Sequence, residues 1–165
     1  MDNNKEVKLV TDGGCRGNPG LGAIGFILFD LKNRVIAKGG KRIGYTTNNK
    51  AEYLALIEGL ENTARYTKGI VHCYLDSELV VKQVKGEWKI KDEDLKKLFF
   101  KVLDKESMFK EVNYVQSFIE CSYYRNELHA KVLTFIANSL LSKSNQAEGG
   151  VVKVEIVING SWSRF

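Results

Sequence analysis

The stretch Thr11-Asp12-Gly13-Gly14-Cys15-Arg16-Gly17-Asn18-Pro19-Gly20 decides how this chain is read. It continues a short β-prone run, Val7 to Thr11, so Asp12 stands at the end of a first strand. The glycine-rich segment runs on to Gly25 and leads into Phe26-Ile27-Leu28-Phe29, a second strand. Lys32-Asn33-Arg34 is a polar turn, and Val35-Ile36-Ala37 is a third strand that Lys41 to Tyr45 extends.

Outward from there the pattern changes period. Thr46-Thr47-Asn48-Asn49 suits a helix entry, because short polar side chains cap free backbone N–H groups. Leu54, Ile57, Leu60 and Ala64 then recur at helical spacing across Ala51 to Ala64. Ile70 to Leu75 is a fourth strand, ending at Asp76-Ser77, and a short helix spans Glu78 to Val84 until Gly86 breaks it. Trp88 and Ile90 fall in a connector. Asp94 to Leu103 is a lysine-studded amphipathic helix with Leu95, Leu98, Phe99 and Val102 inward. Val112 to Phe118 is a fifth strand, and Glu127 to Leu141 a long final helix. Strands first, then alternating helix and strand, describe a mixed sheet in an α/β domain.

The 165 residues fit one core. Residues 1–141 are expected to form the domain, 142–150 a linker, and 151–165 a C-terminal strand or tail in which Val152, Val154, Ile156 and Ile158 alternate with other residues. The tail is expected to dock on its own chain, the chain then being a monomer; pairing with a second chain is the other option. A net charge of +5 permits a polyanionic partner without demanding one. No apolar run reaches the roughly 20 residues of a membrane helix, and the polar Met1 to Lys8 does not read as a secretory signal. Cys15, Cys73 and Cys121 are odd in number and far apart, so neither a disulfide framework nor a zinc site is expected, and a reducing, cytoplasmic setting is.

Three carboxylates stand out. Asp12 and Asp76 lie at strand ends, where α/β sheets build ligand sites, and Glu52 lies in the first turns of a helix. If strands one and four are neighbours, Asp12 and Asp76 project side by side, and a helix over that edge adds Glu52. Crowded carboxylates stay ionised together only when a cation neutralises them. Oxygen ligands without His or Cys favour Mg²⁺ or Mn²⁺ over zinc. Any one of these residues taken singly is better explained as a cap or a solvated charge.

Three motifs taken together change that balance. Thr11 to Gly20 followed by Gly22-Ala23-Ile24-Gly25, then Thr46-Thr47-Asn48-Asn49-Lys50-Ala51-Glu52, then Tyr74-Leu75-Asp76-Ser77 with Leu79-Val80 resemble, in order and spacing, the motifs of the type 1 ribonucleases H. The resemblance covers roughly residues 5 to 141. It implies a ribonuclease H-like fold with a mixed five-stranded sheet, element order βββαβαβα. It also implies endonucleolytic cutting of the RNA strand of an RNA/DNA hybrid. Two metal ions, Mg²⁺ or Mn²⁺ in its place, are implied as cofactors. By position Asp12 bridges both, while Glu52 and Asp76 bind the ion on the leaving-group side. The family's fourth carboxylate, an aspartate at the start of the last helix, matches Asn126 in Arg125-Asn126-Glu127-Leu128-His129-Ala130. An amide keeps the shape and loses the charge, so a weakened or inactive nuclease is one expectation, and Glu120 is a substitute ligand to consider. A hybrid-binding module without catalysis, or a detached polymerase or integrase-like domain, are the competing readings.

The same resemblance implies where the hybrid lies. Gly14, Cys15, Asn18, Asn48 and Asn49 are candidate contacts, since an amide both donates to and accepts from the 2′-OH that marks RNA. The alternative for Asn48 and Asn49 is a plain helix cap. Gln83, Trp88 and Lys89 are further candidates. Trp88 is equally well read as a core residue, and Lys96, Lys97 and Lys101 as a solvated helix face.

Overall fold

A computed structural model describes residues 5–116. The expected final helix, Asn126, the linker and the tail lie outside the described residues. The described part runs β1 (Val7–Gly17), β2 (Gly20–Asp30), β3 (Val35–Thr46), α1 (Asn48–Thr63), β4 (Ile70–Leu75), α2 (Glu78–Val84), α3 (Glu93–Glu106) and β5 (Glu111–Gln116). The five strands form one sheet in the order β3-β2-β1-β4-β5. β1, β2 and β3 pair antiparallel, whereas β4 is parallel to both β1 and β5. This is the mixed sheet that the sequence implies.

The glycine-rich segment differs from its expected form. It is not a loop between strands: β1 runs on through Gly17 and β2 begins at Gly20, paired residue by residue down to Gly17↔Gly20. Only Asn18 and Pro19 remain as the turn, joined by a cis peptide bond. The glycines are strand residues because other backbone needs the room. A Cβ on Gly13 would run into the Ala51 carbonyl and stand 2.8 Å from the Glu52 nitrogen. The first turn of α1 thus rests directly on β1.

Alternation along β1 sorts the core. Val7 and Leu9 face α1 and join Leu28, Tyr53, Leu56, Leu60, Val71, Leu75 and Val102 in the main cluster. Val10 faces the other way and packs with Ala23, Ile27 and Phe29. The buried side of α1 keeps Leu60 and Ala64 of its expected stripe and extends beyond it. Leu54 and Ile57 are only half-buried, while Leu56, Gly59 and Leu60 meet the sheet. Gly59 is the cause, since a Cβ there would lie 2.8 Å from Thr11 Cγ2 and 3.1 Å from Leu9. The helix seats itself where the side chain is missing. Thr47 caps α1 through its hydroxyl and the Lys50 N–H, Ser77 caps α2, and Asp92 caps α3. Gly86, at φ 73°, supplies the left-handed residue that follows α2.

Gly13→Ala is expected to destabilise the protein by about 1–3 kcal/mol, because backbone on both sides must separate to admit one methyl group. Urea unfolding checks this; a variant as stable as the parent would show that α1 does not rest on β1 as described.

Candidate metal centre

The register places two of the carboxylates. Val10 of β1 lies opposite Tyr74 of β4, and two residues further along each parallel strand stand Asp12 and Asp76. Equal register in a parallel pair sends both side chains to the same face at the same height. The contact at Gly13 brings the first turn of α1 against this point and delivers Glu52. Oxygen atoms of Asp12, Glu52 and Asp76 all lie within 4.8 Å of one another. The juxtaposition expected from the sequence is the one observed.

The chemistry of the trio is strained. Asp12 is 3% exposed and Glu52 8%. Asp12 Oδ2, Glu52 Oε2 and Asp76 Oδ1 are buried and have no hydrogen-bond partner among the described residues. Burial, and then the negative charge of Asp76, push the Asp12 carboxyl up to about 7, against hydrogen bonds from Glu52 and the Gly13 backbone that pull the other way. Burial likewise holds Glu52 well above the usual carboxylate range, with Asp76 and then Asp12 adding to it. Two buried acids and a half-buried third, each with an orphaned oxygen and with no cationic side chain hydrogen-bonded to them among the described residues, fit a divalent cation, whose charge and oxygen preference answer both deficits. Asn126 lies outside the described residues, as do Glu120 and His129.

The candidate hybrid contacts fall into two groups. One surrounds the β1–β2 turn and the start of α1. Asn48 Oδ1 accepts from the Cys15 backbone N–H at 2.9 Å and from Cys15 Sγ at 3.1 Å. The Cys15 thiol also reaches the Gly17 carbonyl at 2.8 Å. Asn18 Oδ1 accepts from the Asn48 N–H at 3.1 Å. The side chain of Asn48 is therefore not a cap; Thr47 does that work, and Asn48 ties helix to strand. Its oxygen is used, which leaves its NH₂ as the free branch. Asn49 is exposed, and Gly14 half-buried.

The second group lines an open cleft of about 470 Å³ between α2 and the start of α3. Trp88, 46% exposed, is a surface residue, not a core one. Lys89 lines the cleft beside it, and Gln83 lies beneath, 6% exposed, accepting a 2.8 Å hydrogen bond from Tyr53 Oη. Sequence reasoning missed Tyr53, whose burial reads as ordinary core. Lys96 and Lys97 sit on an exposed helix face beside Glu93 and Asp94, at 3.6 and 3.4 Å, as solvated i,i+3 pairs. Lys50, next to the site, bridges α1 to α3 through Asp94 at 2.7 Å. Cys15 and Cys73 are free thiols, and among the described residues no helix is long and apolar enough to cross a membrane.

Comparison with known proteins points one way. A family profile described as "Reverse transcriptase-like" matches residues 10–121. The bifunctional protein Rv2228c of Mycobacterium tuberculosis is 31% identical over 159 residues, which are 96% of this chain and 43% of that protein. The chain thus spans less than half the length of this curated relative. The crystal structure of ribonuclease H1 from Halobacterium salinarum superposes with a TM-score of 0.73 at 32% identity, covering 82% of this chain and 97% of that one. LC11 ribonuclease H1, isolated from compost and solved in complex with an RNA/DNA hybrid, gives 0.70 at 34% identity, with 81% and 99% covered.

The raised Asp12 carboxyl carries a pH dependence for the metal-free protein. A group that holds its proton more tightly when folded stabilises the fold at low pH, and that contribution fades as pH rises from about 3.8 towards about 7. In EDTA, Asp12→Asn should therefore melt above the parent at pH 7.5, with the gap closing towards pH 4. Thermal melts across that range check it; a variant less stable than the parent at pH 7.5 would show that the carboxylates do not repel.

Proposed function

The chain belongs to the type 1 ribonuclease H family, and we propose that it is a metal-dependent endonuclease cutting the RNA strand of RNA/DNA hybrids. The observation that carries this is the trio Asp12, Glu52 and Asp76, held within 4.8 Å of one another with one buried oxygen of each unanswered. These residues would hold two Mg²⁺ ions, or Mn²⁺ in their place, with Asp12 shared between them. When bound, such a pair supplies an activated water and stabilises the departing oxygen of an in-line displacement.

The protein's own residues do the rest. The sheet and α1 hold the carboxylates in place before substrate arrives, so no reorganisation is needed at the moment of reaction. The Cys15–Asn48–Asn18 hydrogen bonds fix the rim of the site, and the NH₂ of Asn48 and the exposed Asn49 are placed to meet 2′-hydroxyls in a minor groove. Trp88 offers its face to a sugar, and Lys89 its charge to a phosphate. We place the protein as a monomer in the reducing cytoplasm.

Asn126 bears on how well the enzyme works. By the sequence resemblance it matches the family's fourth aspartate, and a neutral amide there would be a weaker metal ligand than a carboxylate. That residue favours a second reading, a hybrid-binding module with little or no cleavage.

Cleavage of a labelled RNA/DNA hybrid in Mg²⁺ and Mn²⁺ separates the two, with Asn126→Asp alongside. The nuclease reading expects cutting that Asn126→Asp increases and Asp12→Asn abolishes. Binding without cutting in both the parent and Asn126→Asp would support the module instead. Hybrid should also bind more tightly than a DNA duplex of the same sequence. Equal affinities at physiological salt would contradict recognition through the 2′-OH.

A further inference from the structure

We propose that Tyr53 is a positioning residue for substrate binding: its buried phenol orients the Gln83 amide so that the floor of the Trp88 cleft offers the hybrid a hydrogen-bond donor. The inference rests on the hybrid-binding function proposed above.

Tyr53 follows Glu52 on α1. Successive helical residues point about 100° apart, so one turn sends Glu52 to the carboxylates and Tyr53 into the seam between α1 and α2. There Tyr53 is fully buried, and its Oη donates to Gln83 Oε1 at 2.8 Å. A phenol has a single proton, and leaving it unmet in the core costs free energy, so the amide oxygen is held towards Tyr53. The branch of Gln83 left for the cleft is then Nε2, with two N–H groups.

The rest of the cleft agrees in sign. Two acids line it, and both are engaged. Glu87 pairs with Lys82 at 2.5 Å, and Asp92 Oδ1 accepts from the Asp94 and Leu95 N–H groups at the head of α3. Lys89, Lys91 and the Trp88 indole add donors, while Leu79 and Leu95 make the apolar wall. Such a surface suits an acceptor-rich group on an apolar sugar, which is a phosphodiester of a nucleic-acid strand. Were Gln83 free to turn, half of its orientations would present a carbonyl oxygen to a phosphate. The Tyr53 hydroxyl removes that option.

The test is hybrid affinity by fluorescence anisotropy at fixed salt and Mg²⁺, in an Asp12→Asn background that binds without cutting. Tyr53→Phe should raise Kd about twofold, since half of the amide orientations are then unproductive. Gln83→Leu removes the donor and should raise Kd roughly fivefold, the equivalent of about one hydrogen bond, and the two together no more than Gln83→Leu alone. Gln83→Glu keeps an oxygen for Tyr53 but turns an acceptor towards the phosphate, so it should weaken binding by about tenfold or more. Tyr53→Phe should leave the salt dependence of binding unchanged, whereas Lys89→Ala should shallow it. A Tyr53→Phe protein with a lower melting temperature and an unchanged Kd would reduce Tyr53 to a core residue and overturn the proposal. Additive losses, or a Gln83→Glu protein that binds as its parent does, would overturn it as well. If the background protein fails to bind hybrid at all, the proposed function fails first and takes this inference with it.

Discussion

Everything at the candidate centre depends on one close contact, the seating of the first turn of α1 on the backbone of β1 at Gly13. A side chain there would occupy the space of the Ala51 carbonyl. With the contact made, Glu52 is brought to Asp12 of β1 and to Asp76, which follows the last residue of β4. A second glycine, Gly59, lets the later turns of the same helix settle onto Thr11 and Leu9. The helix is thus fixed to the strand at two points about two turns apart, and the site is a consequence of that docking.

The contact has an electrostatic cost. It forces three acids together where water is scarce, and burial, with the negative charge of Asp76 added, lifts the Asp12 carboxyl to about 7. Nothing in a folding argument favours that arrangement, because an unpaired buried carboxylate destabilises. It becomes favourable when a divalent cation shares the oxygens. The same helix then serves a second purpose one residue later, where Tyr53 reaches Gln83 across to α2. The candidate metal centre and the cleft at Trp88 are therefore held by adjacent residues of a single element.

Much of this was legible in the sequence, for physical reasons that can be named. Strand periodicity, the Asp76-Ser77 stop and the lysine-studded α3 are local signals, and their elements fell where expected. Asp12, Glu52 and Asp76 were legible because each falls in one of three motifs that together resemble those of a known family, whereas singly each reads as a cap or a solvated charge. The glycine-rich hairpin was not, since glycine carries no pattern, and only pairing across β1 and β2 shows that its residues are extended. The inward face of α1 was legible only in part for the same reason: Leu60 and Ala64 are buried as their spacing implies, but Gly59 docks by lacking a side chain, and hydrophobic spacing does not register an absence. Trp88 was left between core and surface because aromatic residues serve both. Tyr53 was invisible as anything but core, because its meaning lies in the partner on another helix.

The most direct test of the central claim, that these three carboxylates form a divalent metal site, is anomalous diffraction from crystals grown in Mn²⁺. The account predicts an anomalous peak bonded to oxygens of Asp12, Glu52 and Asp76, at roughly the 2.0–2.2 Å of a small divalent cation. Millimolar Mn²⁺ with no peak there, or with the ion held by other residues, would contradict it.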